Sequence, residues 1–144
     1  MRHTFLFEEQ TWAARGTFYT ENGEAFPLDG QTVVTHGEGK WINEGTMTVQ
    51  GDGEKTFSNR SEITPFKEGL DSTTWVSRNP AIGTLMGCFV LVHDTILSSY
   101  QSTDGLYKGI EYLKKIDDRT YETRGVALKN GIKISSWAAT LAAQ

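Results

Sequence analysis

The side chains of this sequence that can do chemistry are few and scattered: three histidines, one cysteine, and single carboxylates and arginines set among strand-forming residues. His36 stands just before the turn Gly37-Glu38-Gly39, where an imidazole can serve as base or ligand but reads first as a solvated strand end. His93 and Asp94 are adjacent, and neighbours along a strand face opposite sides, so the pair reads as a turn rather than an acid–base couple. Arg124 is the better candidate for an inward cation, which would hold a carboxylate through two parallel hydrogen bonds; the competing reading is an outward, ion-paired arginine. His36, Arg124 and Glu111 are the residues from which an enzyme would draw its acid or base. Cys88 lies in the most apolar run, where a free thiol packs as a small hydrophobe, whereas a catalytic thiol wants a partly exposed, electropositive site. No His-x-His or Cys/His cluster marks a metal site. No Gly-x-Ser-x-Gly elbow, phosphate loop or dinucleotide fingerprint is present either, so no metal or cofactor is expected.

A chain of 144 residues predicts one domain, 1–144, long enough to bury a core without staples. Its 38% hydrophobic, 11% aromatic and 22% charged residues are those of an ordinary globular protein. The net charge is −4, and Lys114-Lys115 is the nearest thing to a basic cluster, which argues against nucleic acid as a partner. Phe5-Leu6-Phe7 falls short of the about 7 to 15 apolar residues of a secretory signal. No run approaches the roughly 18 of a membrane span. The expectation is a cytoplasmic protein with no membrane partner.

The elements that must position these residues are strands. Asn22-Gly23, Asp29-Gly30, Asp52-Gly53, Asp104-Gly105 and Asn130-Gly131 accept positive φ and read as turns. Strands are predicted over 12–19, 31–36, 40–50, 55–64, 72–78, 84–92, 95–101, 106–115, 120–128 and 132–141, with 66–71 a loop or a helical turn. Trp12, Ala14, Gly16 and Phe18 share one face of the first. Trp41, Asn43, Gly45, Met47 and Val49 form an inward row, and so do Phe57, Asn59, Ser61 and Ile63. Both rows carry polar groups where a filled core would carry leucine.

The run 84–101 organises the chain as two strands hinged at His93-Asp94. Its first half is apolar on both faces: Met86, Cys88, Val90 and Val92 on one, Leu85, Phe89 and Leu91 on the other. Such a strand is buried on both sides. Either Phe5-Leu6-Phe7 folds over this wall or a second subunit does, which makes a homodimer an expectation.

A meander of about ten strands has exposed edges unless it closes. The predicted fold is therefore all-β: a single antiparallel up-and-down β-barrel of about 8–10 strands, lipocalin-like. About eight strands leave an interior that side chains just fill or that holds one small ligand, and ten would leave a cavity. The residues placed around such an interior are Trp41, Asn43, Asn59, Ser61, Trp75, Tyr100, Tyr112, Arg124 and Trp137. The length, the strand bearing Trp12, Gly16 and Phe18, and the meander resemble the calycin group of lipocalins, fatty-acid-binding proteins and nitrobindin-like barrels. The Arg-x-Tyr of the fatty-acid-binding proteins is not met, because Arg124 precedes Gly125-Val126. The late haem histidine of nitrobindins has no counterpart after His93. The resemblance implies a barrel binding a small lipophilic or amphipathic molecule. The alternatives are an enzyme using the same cavity, of isomerase, cyclase or hydrolase type, or a filled barrel that acts as an interaction unit.

Overall fold

The computed structural model describes residues 2–80 and 82–144. Ten strands follow one another: β1 (Gln10–Thr20), β2 (Ala25–Gly37), β3 (Lys40–Gly51), β4 (Gly53–Ile63), β5 (Ser72–Asn79), β6 (Gly83–Val92), β7 (Thr95–Ser102), β8 (Tyr107–Asp117), β9 (Thr120–Lys129) and β10 (Ile132–Ala143). Each pairs antiparallel with its neighbours in sequence, and β10 closes on β1 to complete one barrel. Among the described residues there is no helix, and 66–71 is a loop. Closure follows from the short hairpins, which can only join antiparallel neighbours, and it removes the two edges an open meander would expose.

The turn dipeptides behave as their chemistry requires at Gly23, Gly53, Gly105, Asn130 and Gly131, all with positive φ. His93 also takes positive φ, at 53°, at the tight β6–β7 turn. Asp29-Gly30 corrects the expectation: it lies within β2, not in a turn. Gly30 serves close packing instead, because a Cβ there would come within 2.6 Å of the Thr46 carbonyl oxygen.

One end of the barrel is plugged by residues 3–6, all buried. Phe5 and Leu6 join a cluster with Trp12, Val34, Ile63, Ile96, Leu113, Tyr121 and Leu141. Burying each such side chain contributes about 1.5–3 kcal/mol. Leu6 sits at φ 72°, a costly conformation for leucine, held by its complete burial and by His36, whose Nε2–H donates to the Leu6 carbonyl at 2.7 Å. Thr4 donates through Oγ1 to the Asp118 carbonyl at 2.8 Å. The plug is thus tied to two rim segments of the same barrel end.

Two expectations about the outer wall change as a result. Phe5 and Leu6 enter the barrel and do not cover the wall. Cys88 is not core: it sits on the outer face, partly buried, with Sγ 3.4 Å from Ser99 Oγ. Met86 and Ile110 on the same face are 56% and 59% exposed.

Candidate functional site

Between the plug and the opposite rim the inner surface turns polar. Thr32, Asn43, Asn59, Ser61, Ser77, Ser98, Glu111 and Thr123 fall on inward rows of seven strands, and register sets them side by side. Asn43 lies opposite Ser61, Ser61 opposite Ser77, and Ser98 opposite Glu111. The Thr32 hydroxyl donates to Asn43 Oδ1. The plug-end cluster continues past the belt on the β5–β7 side through Trp75, Leu85 and Phe89, with Tyr100 packed on it, and a second cluster of Leu28, Val49 and Ala139 carries Phe18, Phe26, Met47 and Trp137.

Three aromatic rings lie against inward glycines of the next strand. A Cβ at Gly87 would meet the Trp75 ring at 2.4 Å, one at Gly109 the Tyr100 ring at 2.1 Å, and one at Gly125 the Trp137 ring at 2.1 Å. The missing side chains are what let the rings lie along the wall. Trp75 and Tyr100 are neighbours, with centroids 6.0 Å apart.

Glu111 is the charged member of the belt. Trp137 Nε1–H donates to its Oε2 at 2.7 Å and Thr123 Oγ1 donates to the same oxygen at 2.9 Å. Oε1 has no hydrogen-bond partner among the described residues. Burial pushes the Glu111 carboxyl above the usual carboxylate range, and the two donors only partly oppose it. Burial and the nearby Glu111 also raise the Tyr100 phenol. Trp75 is 7% exposed, and its indole N–H, like that of Trp12 in the plug-end cluster, has no hydrogen-bond partner among the described residues.

Of the nine residues placed around the interior from the sequence, seven stand on inward rows: Trp41, Asn43, Asn59, Ser61, Trp75, Tyr100 and Trp137. Trp41 belongs to the plugged end, stacked 4.2 Å from His36 and edge-on to Phe7 at 5.5 Å. Asn59 is exposed. Tyr112 and Arg124 are opposite one another on the outer face, against the inward placement. Arg124 pairs there with Glu122 at 3.4 Å and donates to the Thr123 carbonyl. The reason is Tyr121: it is fully buried, so Tyr121, Thr123 and Gly125 form the inner row of β9 and Arg124 faces away. Of the acid–base candidates only Glu111 lies in the belt, since His36 is engaged by the plug. Sequence reasoning missed Thr123 and the Gly87, Gly109 and Gly125 row. An inward glycine beside a strand carrying Trp or Tyr was the available signal.

Comparison with solved structures finds a counterpart for the fold. An S-type phycobiliprotein lyase, CPES from Guillardia theta, superposes with TM-score 0.71 at 7% identity, over 97% of this chain and 90% of that one. A protein described as AttH from Nitrosomonas europaea matches at TM-score 0.35 and 11% identity over 95% of this chain and 51% of that one. No protein-family model and no curated protein matches the sequence. At such low identity the first likeness speaks for the fold alone, a closed antiparallel barrel.

Proposed function

We propose that this barrel is a host for a flat apolar or amphipathic small molecule held against Trp75, Tyr100 and Trp137. Trp75 Nε1–H donates to a ligand acceptor, and Glu111 Oε1 accepts from a ligand N–H or O–H. The observation that carries this reading is the buried Trp75 indole donor, with the Glu111 Oε1 acceptor on the other side of Tyr100. Among the described residues neither has a hydrogen-bond partner, and the indole N–H is the one fully shut from solvent. A buried polar group left unpaired costs about 1–3 kcal/mol, a cost that a bound molecule removes. The likeness to a phycobiliprotein lyase is consistent with it.

The test is titration with an uncharged naphthylamine dye, alongside native mass spectrometry of freshly purified protein. Trp75→Phe keeps an aromatic face, though a smaller one, and removes the donor, so binding of the natural compound weakens at least about tenfold, the worth of one hydrogen bond. Protein that carries no compound and takes up no dye overturns the proposal.

We also infer that a second copy covers the outer wall of β6–β8. The support is its apolar residues Met86, Leu97 and Ile110, exposed at 56%, 40% and 59%, together with the inward course of Phe5 and Leu6, which leaves them uncovered.

A further inference from the structure

The barrel wall is not equally tight all the way round. β4 and β5 pair at three positions, Ser61↔Ser77, Glu62↔Val76 and Ile63↔Trp75, whereas every other neighbouring pair is laddered over at least seven. Beyond Ser61 the two strands part. Residues 53–60 of β4 are exposed and have no partner on that side among the described residues.

A groove of about 400 Å³ opens at this parting. Its lining is mostly the outer face of β2–β4, with Gln31, Val33, Glu44, Thr46, Ser58 and Arg60. Gly45 and Asn59 of the inward rows also line it, and Arg78 borders it from the end of β5. The groove thus lies against the wall where the ladder stops and touches two residues of the inner rows. Residues 3–6 close one barrel end.

The charged lining at the groove's outer lip is two guanidinium groups, Arg60 and Arg78, and one carboxylate, Glu44. Arg78 makes no ion pair among the described residues. Arg60 lies between Glu44 at 3.3 Å and Glu62 at 2.8 Å, and a guanidinium with five N–H donors has capacity left after those contacts. Inside, the polar belt that contains Glu111 includes no cation. An anionic group therefore finds its cationic partners at the lip and not among the belt residues.

We propose that the parted seam between β4 and β5 is the passage by which the ligand of the preceding section enters, and that Arg60 and Arg78 hold the anionic head of an amphiphile whose apolar body lies inside. This rests on the interior-host reading. It names the ligand class as a carboxylate, sulfate or phosphate on a flat or chain-like apolar body, oriented head outward.

Two matched probes test it: anilinonaphthalene sulfonate, and the uncharged phenylnaphthylamine that lacks its sulfonate. Arg78→Gln weakens the sulfonate about tenfold relative to the uncharged dye, as expected for loss of one charge-assisted contact. Equal effects on both dyes overturn the headgroup assignment. For the passage, Ser58→Cys and Pro80→Cys are introduced with Cys88→Ser and bridged by a short bismaleimide. Uptake of the uncharged dye then slows at least tenfold relative to the same protein capped with a monofunctional maleimide. Unchanged uptake in the bridged protein overturns the passage and leaves the interior host standing. Failure of the parent chain to bind either dye overturns both.

Discussion

Glu111 and His3 place two titrating groups of opposite habit inside one fold. Burial raises the Glu111 carboxyl, so the folded chain holds that proton more tightly than the unfolded chain. Stability is then greatest below the ordinary glutamate value of 4.5 and declines as pH rises through the folded value. Glu111→Gln removes the penalty: its melting temperature exceeds the parent's by a few degrees at neutral pH, and the two converge near about pH 4. Differential scanning calorimetry at both pH values checks it. His3 goes the other way. Burial lowers its pKa from 6.5, against the pull of its bond to the His93 carbonyl and of Asp94, and with help from Lys115. Its contribution is present above that ordinary value and is lost as pH falls through the folded one. The ring bonds the Tyr121 hydroxyl at 2.8 Å, and the same hydroxyl accepts from the Thr4 backbone N–H at 3.1 Å. Tyr121→Phe strips partners from a buried ring nitrogen and a buried amide, so it costs about 1–3 kcal/mol in urea unfolding at pH 8.

At the scale of strands, the glycine–aromatic pairs shape the inner wall. Gly125→Ala puts a methyl where the Trp137 ring lies, and the ring must leave. The expected cost is about 1–3 kcal/mol, with a shift in tryptophan emission as the Trp137–Glu111 bond breaks. Unchanged emission would show that the ring does not lie where Gly125 leaves room. Most strands were legible, because alternation and turn dipeptides are properties of neighbours along the chain. The exceptions have physical causes. Asp29-Gly30 carries a turn's chemistry but serves close strand packing. β9 mixes polar and apolar residues on both rows, so alternation could not say whether Arg124 or Thr123 faced in. The apolar outer row of β6 read as buried because hydrophobicity tells which residues avoid water, not what covers them.

At the scale of the molecule, the uncovered wall predicts self-association. Ile110→Lys, at a 59% exposed position, places a charge in the middle of it and shifts sedimentation from dimer to monomer while the melting temperature holds. A parent protein that sediments as a monomer at high concentration removes the inference. Ten strands and their closure into one barrel were determined by the sequence itself, through local alternation, positive-φ turns and loops too short to cross over. The meeting of polar rows was decided only in three dimensions. His3 and Tyr121 are 118 residues apart, and Glu111 and Trp137 are 26 apart on strands that are not sequence neighbours. Such contacts exist only after the sheet has curled shut, because closure, not any local preference, brings the inner faces of distant strands together.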